Sequence, residues 1–184
     1  MTRRAYFVPA AAAAVLFMIA GPARAQPTLE YNVKAALLLN FARFIEWPEG
    51  AFASAASPIE ICVVAPNPFG DALERTLQGE SVGSRPLVSR EVRNAADSAG
   101  CHVLFVPASA EAQTPGLVRQ SGPHAVTVGE SSRFEERGGA ITFLLEGGRL
   151  RFSVNLHPVE ERGVRISARM LRLASRVDRV TPAK

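Results

Sequence analysis

The two cysteines of the chain, Cys62 and Cys101, are the side chains with the most distinctive chemistry. Each lies at or near the start of an apolar run that predicts a buried strand, and in a flavodoxin-like sheet the two strands would be parallel neighbours. Their starts would lie about 5–6 Å apart, as a disulfide requires. A metal site needs further ligands, and His102 would point to the opposite face of the strand. We predict a structural disulfide, with a redox-responsive bond as the open alternative.

No segment carries a complete catalytic pattern. The closest to a nucleophile elbow is residues 129–133, but the second glycine of that turn is missing. The carboxylate pairs Glu135-Glu136 and Glu160-Glu161 are sequence neighbours that point apart, so we expect solvated charges. The histidines are typical of surface or internally satisfied positions. We expect no catalytic residue, no cofactor and no metal ion, and a hydrolase that uses Ser131 is the weakest alternative.

The first residues predict a secretory signal peptide. Arg3 and Arg4 form a cationic start, residues 5–20 are apolar, and Ala23-Arg24-Ala25 supplies the small residues that a signal peptidase recognises. The apolar run is shorter than the roughly 20 residues of a membrane-spanning helix, which disfavours an uncleaved anchor. We predict that residues 1–25 are the leader and that residues 26–184 form one domain outside the cytoplasm.

Removal of the leader changes the charge of the chain. The full sequence has 21 Lys and Arg against 17 Asp and Glu, and Arg3, Arg4 and Arg24 leave with the leader. The mature chain then has 18 basic and 17 acidic residues, a net charge of +1. Nucleic-acid binding requires a basic excess, so we expect no nucleic-acid partner.

Residues 28–45 predict a helix, because Glu30 favours the first turn and no Gly or Pro occurs before Pro48. The apolar residues of this helix cover nearly its whole circumference. Such a helix is either enclosed by the fold or buried by a partner. Asn40 is polar among apolar neighbours, and we expect it to make a buried hydrogen bond.

Short apolar runs typical of buried strands alternate with short helices. The predicted strands are residues 59–64, 86–92, 101–106 and 125–129, and the predicted helices are residues 71–77 and 110–120. This alternation favours a parallel sheet covered on both faces. Residues 140–145 and 150–156 flank Gly147-Gly148, a strong hairpin signal. The predicted fold is a single compact α/β domain with a mostly parallel sheet of flavodoxin- or Rossmann-like order, a C-terminal antiparallel hairpin and helices on both faces.

Residues 163–177 predict the last helix, with two stripes along it. The apolar stripe, expected to face the core, consists of Ile166, Met170, Leu173 and Val177. The basic stripe, offset by roughly 100°, consists of Arg165, Arg169, Arg172 and Arg176. Such a row of guanidinium groups would suit an acidic partner or an anionic ligand. A solvated flank is the alternative.

A crevice for a small ligand is predicted where the strand order reverses, between residues 66–70 and residues 107–109. Asn67 and Ser109 would offer hydrogen bonds there, with Phe69 beside them and helix N-termini nearby. The alternative is that Asn67 and Ser109 only cap helices.

An ordered set of segments resembles the YfiR family of periplasmic proteins. Members of that family carry a leader and then a similar helix that ends in an aromatic residue followed by Trp-Pro, here Trp47-Pro48. The resemblance covers nearly the whole mature chain and rests on residues 31–48, 61–64, 67–69, 101–105, 126–130, 141–143, 155–156 and 164–171.

The resemblance implies an α/β domain without catalytic activity. Founding members repress a membrane-bound diguanylate cyclase by binding its periplasmic sensor region, and an outer-membrane lipoprotein can titrate them away. The production of cyclic-di-GMP, and with it biofilm formation, therefore depends on whether the repressor is bound to the cyclase. Cys62 and Cys101 match a family disulfide, whereas a second family pair has no counterpart here. Other members accompany sensor kinases or outer-membrane receptors, so the fold does not fix the partner.

The resemblance implies a periplasmic regulator that binds the sensor region of an inner-membrane signalling protein. The favoured partner is a diguanylate cyclase, so that binding lowers cyclic-di-GMP, and the alternative partner is a sensor kinase. Aromatic residues often anchor protein interfaces, so Phe41, Phe44 and Trp47 join the four arginines as candidate contacts; core packing is the alternative. The second candidate function is a small-molecule-binding module for a sensor kinase or an outer-membrane transporter. The sequence leaves open whether the protein forms a homodimer.

Overall fold

The computed structural model describes residues 28–179, and the predicted leader lies outside the described residues. The helices are α1 (Leu29–Phe44), α2 (Ala72–Leu77), α3 (Thr114–Gln120), α4 (His157–Glu160) and α5 (Ala168–Leu171). The strands are β1 (Ile45–Glu46), β2 (Ile59–Val64), β3 (Ser81–Val82), β4 (Arg85–Val92), β5 (Val103–Val106), β6 (Val126–Gly129), β7 (Ile141–Glu146), β8 (Arg149–Asn155), β9 (Arg165–Ile166) and β10 (Arg176–Asp178). The elements predicted before residue 157 are confirmed, with the predicted helix at 110–120 divided into a 3₁₀-helix and α3.

The central strands and the hairpin of the main sheet have the predicted order, and β10 and β3 are added at its edges. Its strands follow one another as β10-β8-β7-β6-β5-β2-β4-β3. From β4 to β7 neighbouring strands are parallel, and β2, the first core strand, lies between β4 and β5 as in a flavodoxin-like sheet. β8 is antiparallel to β7, and β10 is parallel to β8 at the edge. The predicted mixed α/β fold is confirmed.

Each face of the sheet has its own hydrophobic core, because successive side chains of a strand point to opposite faces. In β5, Val103 and Phe105 belong to the core beneath α1 and α2. Leu104 and Val106 belong to the core beneath α3. The sheet is therefore enclosed on both sides, as its continuous apolar strands indicate.

The β7–β8 hairpin turns at Gly147 and Gly148, as predicted. Their φ angles are 56° and 73°, in the left-handed region that a two-residue turn of this kind requires at both positions. The register pairs Glu146 with Arg149 and Leu145 with Leu150.

The predicted helix over residues 163–177 is wrong. β9 pairs antiparallel with β1, directly after α1. Ser167 then caps the single turn of α5 by accepting a hydrogen bond from the N–H of Met170. β10 leaves this turn and joins the sheet beside β8. The two strand pairings satisfy backbone groups over long range, and local periodicity cannot reveal them.

The two stripes expected on that helix are consequently dispersed. Ile166 and Met170 are buried, but Leu173 is 66% exposed and Val177 is 40% exposed. The four arginines of the basic stripe are divided among β9, α5, the turn that follows it and β10. They do not form one row.

Candidate functional site

The inner side of α1 belongs to the core. Its buried residues are Lys34, Ala35, Leu38, Leu39, Phe41 and Ala42. Phe41 is 1% exposed, and its ring centroid lies 4.9 Å from that of Phe152 and 5.7 Å from that of Phe143. Phe41, predicted as a candidate partner contact, is therefore a core residue, because the rotation of α1 turns it toward β7 and β8.

The opposite side of α1, which we call the outer face, is apolar as well. It consists of Leu29, Val33, Ala36, Leu37, Asn40 and Phe44. These residues recur at intervals that place them on one stripe of a helix. Leu29 is 79% exposed and Val33 is 42% exposed, whereas Leu37 and Phe44 are half-buried because they also pack against the edge of the core. Single exposed apolar residues are normal, but a contiguous patch is typical of an interaction surface.

Asn40 does not make the buried hydrogen bond that its apolar neighbours predicted. Its side chain is exposed on the outer face, one turn from Ala36 and from Phe44. Water can satisfy its amide there, so the position carries no desolvation cost in the free protein.

Trp47 closes the base of the sheet, at the amino ends of the parallel strands. Its Nε1 donates a hydrogen bond to the carbonyl oxygen of His124 at 3.1 Å. Its ring packs edge-on against Phe52 and His102, with centroid distances of 6.1 and 6.0 Å. The Arg85 guanidinium lies 3.6 Å from the centroid of the Phe52 ring. Trp47 is half-buried, and its indole N–H is satisfied within the fold.

His102 is held in one neutral tautomer beneath this cluster. Its Nδ1 accepts a hydrogen bond from the N–H of Glu60 at 3.1 Å, which leaves Nε2 to donate to the carbonyl oxygen of Ala51 at 3.2 Å. Burial lowers the pKa of His102 below its usual 6.5, because the charged ring would be desolvated. Protonation would also replace the acceptor at Nδ1 with a second donor.

The amino end of α1 is anchored by a buried ion pair. Lys34 Nζ lies 2.5 Å from Glu130 Oε2 and 2.5 Å from Glu30 Oε1. The Lys34 and Glu130 side chains are only 4% and 7% exposed. Glu130 Oε1 also accepts hydrogen bonds from the Tyr31 hydroxyl at 3.0 Å and from the N–H of Ala108 at 2.9 Å. Since Glu130 follows β6, the network fastens α1 to the carboxyl end of the parallel sheet.

This anchor determines which side of α1 faces solvent. Burial, followed by the Glu130 carboxylate, raises the pKa of Tyr31, so its hydroxyl stays protonated and keeps donating. Removing one partner of a buried ion pair costs about 3–5 kcal/mol, because the other charge is left unpaired. Val33 precedes Lys34 by one residue, about 100° around the helix, and lies on the exposed side.

A cleft of about 260 Å³ lies beside the anchor, between α1 and the β7–β8 hairpin. Its walls are Glu30, Tyr31, Lys34, Ala108, Glu130, Phe143, Leu144, Leu145 and Leu150. It opens at the carboxyl end of the parallel strands, where open α/β sheets bind ligands. Its volume is slightly below the roughly 300–1,000 Å³ of ordinary ligand sites.

The residues of the predicted crevice do not line one cleft. Asn67 Oδ1 accepts from the N–H of Phe69 at 2.9 Å and its Nδ2 donates to the Gly70 carbonyl at 3.0 Å, so the amide closes a turn. Phe69 is 0% exposed and packs against Tyr31, whereas Ser109 is exposed. A cleft of about 170 Å³ includes Asn67 but neither of the other two residues.

The four arginines predicted as interface residues have different surroundings. On β9, Arg165 Nη2 lies 3.2 Å from Glu46 Oε2, and both side chains are largely exposed. On β10, Arg176 Nη2 lies 2.8 Å from Glu135 Oε2. Arg169 and Arg172 are exposed, and neither pairs with a carboxylate within residues 28–179.

Glu135 is not a solvated charge, although its position next to Glu136 in the sequence led us to expect one. It is 9% exposed, and it accepts hydrogen bonds from the Ser153 hydroxyl and from Arg176. It therefore ties the loop after β6 to β8 and β10. Glu160, in contrast, is exposed and pairs with Arg179 at 3.0 Å, as expected for a surface charge.

Cys62 and Cys101 form the predicted disulfide, with their Cα atoms 5.8 Å apart. Both residues are buried in the core beneath α3, on the opposite face of the sheet from α1. A loop of this sequence separation, 39 residues, corresponds to about 3–4 kcal/mol of stabilisation in the loop-entropy account. Burial favours the structural role over a redox-responsive one, because reductants reach exposed disulfides more readily.

The described residues do not assemble a reactive centre around Ser131. This side chain is 8% exposed, and its Oγ has no hydrogen-bond partner, so no base is positioned to activate it. Residues 28–179 also contain no group of His, Cys, Asp and Glu that could hold a metal ion. None of the helices in this range is long and apolar enough to cross a membrane.

Sequence reasoning missed the ion pair of Lys34 and Glu130 and the role of Arg162. Arg162 donates hydrogen bonds to the carbonyl oxygens of Val118 at 2.5 Å and Gly122 at 2.7 Å, and so caps the end of α3. One signal was available for Lys34, since a lysine on the apolar side of a helix indicates a buried partner. The partner itself lies 96 residues away and leaves no local trace.

Comparison with known proteins gives a family match and a fold match. Residues 31–175 match the sequence profile of a family described as YfiR/HmsC-like. A conserved domain protein from Vibrio cholerae has a similar structure, with a TM-score of 0.53 and 12% identity over 80% of this chain and 60% of that one. An ABC domain in complex with L-Trp from Streptococcus pneumoniae gives a TM-score of 0.51 and 12% identity over 78% and 60%. The chain thus spans three fifths of each structure, and at this identity the likeness concerns the fold alone.

Proposed function

The chain belongs to the YfiR/HmsC-like family, whose members are periplasmic and regulatory rather than catalytic, and from this premise we propose that it binds the periplasmic sensor region of an inner-membrane signalling protein. The partner class we favour is a diguanylate cyclase, which the bound protein holds inactive. Cyclic-di-GMP then falls while the complex persists.

The observation that carries the proposal is the apolar outer face of α1. A regulator that is not an enzyme acts through a binding surface. The centre of such a surface, which becomes buried in the complex, is typically apolar. Leu29 and Val33 are exposed at the amino end of the outer face, and half-buried Phe44 lies at its other end. The anchor between Lys34 and Glu130 holds these side chains outward before any partner arrives, which lowers the ordering cost of binding.

The location of the protein is supported by two features. The predicted leader directs the chain out of the cytoplasm, and the disulfide between Cys62 and Cys101 is typical of an oxidising compartment. In the periplasm, the sensor regions of inner-membrane proteins are directly accessible to it.

A genetic experiment tests the proposal in the host. Deletion of the gene should raise cyclic-di-GMP, and expression of the wild-type protein in trans should restore the lower level. Val33→Asp, on the outer face, should fail to restore it. Val88→Asp is the matched control, because Val88 is 39% exposed on β4, away from α1. An unchanged cyclic-di-GMP level after deletion, with normal expression of the cyclase, would refute the regulatory proposal.

The second candidate is a small-molecule-binding module for a sensor kinase or an outer-membrane transporter. The cleft of about 260 Å³ at the carboxyl end of the sheet favours it, because its wall combines aromatic, aliphatic and charged side chains. Thermal shift measurements against a metabolite panel separate the candidates. A ligand-induced rise in Tm that Leu145→Asp abolishes, together with no binding to any sensor region, would favour the second candidate over the first.

A further inference from the structure

We propose that the outer face of α1 binds an amphipathic α-helix of the partner, with carboxylates beside the apolar stripe of that helix where it meets α5. This inference rests on the proposed function, and it adds the chemistry and the orientation of the bound element.

The shape of the outer face favours a helix as its occupant. α1 has 16 residues, so the stripe from Leu29 to Phe44 extends over about 24 Å at 1.5 Å per residue. Its side chains form a ridge at intervals of three and four residues. Ridges of this kind pack into the grooves of another helix, and an amphipathic helix recognises its partner through the same spacing.

The positive charges near the carboxyl end of the stripe indicate which side chains the bound partner helix should carry. The N–H of Ser167, which precedes α5, donates to the carbonyl oxygen of Phe44 at 2.9 Å, so α5 begins beside the end of the outer face. Arg169 and Arg172 follow within and directly after α5. Both are exposed, and neither pairs with a carboxylate in the part of the chain that the structure describes. Two unpaired guanidinium groups on the segment that follows the end of the stripe would complement carboxylates on a partner.

The other charges near the outer face are already paired. Glu30 bonds to Lys34, and Arg43 Nη2 lies 2.5 Å from Glu80 Oε2. Unpaired positive charge therefore occurs only toward α5 among these residues, and the docked helix has a preferred direction.

A lipid surface is the competing occupant for an apolar stripe with arginines beside it. Segments that bind anionic membranes through charge usually carry clusters of about 4–8 basic residues. Here two unpaired arginines lie at one end of the stripe, and the mature chain has nearly balanced charge. The observations therefore favour a protein helix.

Two designed peptides test the inference on the mature protein, residues 26–184. They share the same leucine face, and at one end this face is flanked by Glu in the first peptide and by Lys in the second. Fluorescence anisotropy should show about tenfold tighter binding of the Glu peptide, the size expected from two exposed ion pairs. Arg169→Glu combined with Arg172→Glu should remove or invert the preference. Arg149→Glu, on the β7–β8 hairpin, is the control and should preserve it.

Equal affinity for both peptides, or binding of neither, would overturn the inference. Binding to vesicles of phosphatidylglycerol and phosphatidylcholine that is lost in Val33→Asp, without peptide binding, would also overturn it and assign the surface to lipid. The proposed function is tested separately with the periplasmic region of a diguanylate cyclase from the same genome. If that region binds the wild type and the double arginine variant equally, the proposed function stands and the charged helix is wrong.

Discussion

The inner and outer sides of α1 have similar apolar composition but different roles. On the inner side, Phe41 is packed against Phe152 and Phe143, and the single charge, Lys34, is neutralised by Glu130. On the outer side, Leu29 and Val33 contact water. A helix that is apolar around most of its circumference therefore uses one side for folding, and we propose that it uses the other for binding. Mutations on the two sides should separate stability from partner affinity.

The largest effect on stability is expected from Phe41→Ala. Truncation of a fully buried phenylalanine removes its packing and leaves a cavity, at a cost of about 3–5 kcal/mol. Urea unfolding of the mature protein measures this change. Val33→Ala is the control on the outer face, and its free energy of unfolding should lie within about 0.5 kcal/mol of the wild type. Similar losses in both variants would mean that the outer face is structural.

Lys34→Met should cost somewhat less, about 3 kcal/mol, because Glu130 is left buried without its cation. Hydrogen exchange should become faster at the first turns of α1 than at its carboxyl end, since the network holds that end to the sheet. The double variant Lys34→Met with Glu130→Leu should recover much of the lost stability. No recovery would show that the two side chains do not act as a pair.

A smaller effect should come from acidification through His102. Its pKa is lowered by burial, so its contribution to stability is fully present above the unfolded pKa of about 6.5 and is lost as the pH falls from there through the lower folded value. His102→Gln should weaken this part of the pH dependence. Chemical unfolding at several pH values between 5 and 8 measures the difference. Parallel curves for wild type and His102→Gln would exclude His102 as the titrating group.

The smallest effect on stability is expected from Val33→Asp. The side chain is already 42% exposed, so the free energy of unfolding should change by less than about 0.5 kcal/mol. Circular dichroism and urea unfolding test this. A large loss would show that Val33 supports the fold and would disqualify it as a probe of binding.

Local sequence patterns predicted the central strands and the hairpin correctly, but they did not predict the structure of residues 163–177. The runs at 59–64 and 101–106 are continuous and apolar, and Gly147-Gly148 specifies a tight turn, so strands and hairpin follow from neighbouring residues. Residues 163–177 have a helical period, yet β10 forms because β8 offers an edge and Glu135 holds Arg176. These partners are distant in sequence, and tertiary pairing overrides local propensity.

The candidate site, like the fold, could be predicted only in part from the sequence. An apolar circumference predicted that α1 is enclosed or meets a partner, and in the structure one side is enclosed and the other is partly exposed. The rotation that hides Phe41 and exposes Asn40 depends on Glu130 and on the aromatic residues of β7 and β8. A single helical segment does not contain that information. The three residues predicted to line a crevice are separated for the same reason, because Tyr31 of α1 covers Phe69.

Isothermal titration calorimetry of the mature protein against the periplasmic region of an inner-membrane diguanylate cyclase from the same genome tests the central claim most directly. We expect saturable binding by the wild type and by Val88→Asp, and at least about thirtyfold weaker binding by Val33→Asp, because a carboxylate would be desolvated in the apolar interface. Equal affinity of Val33→Asp and wild type would contradict the assignment of the outer face of α1 as the binding surface.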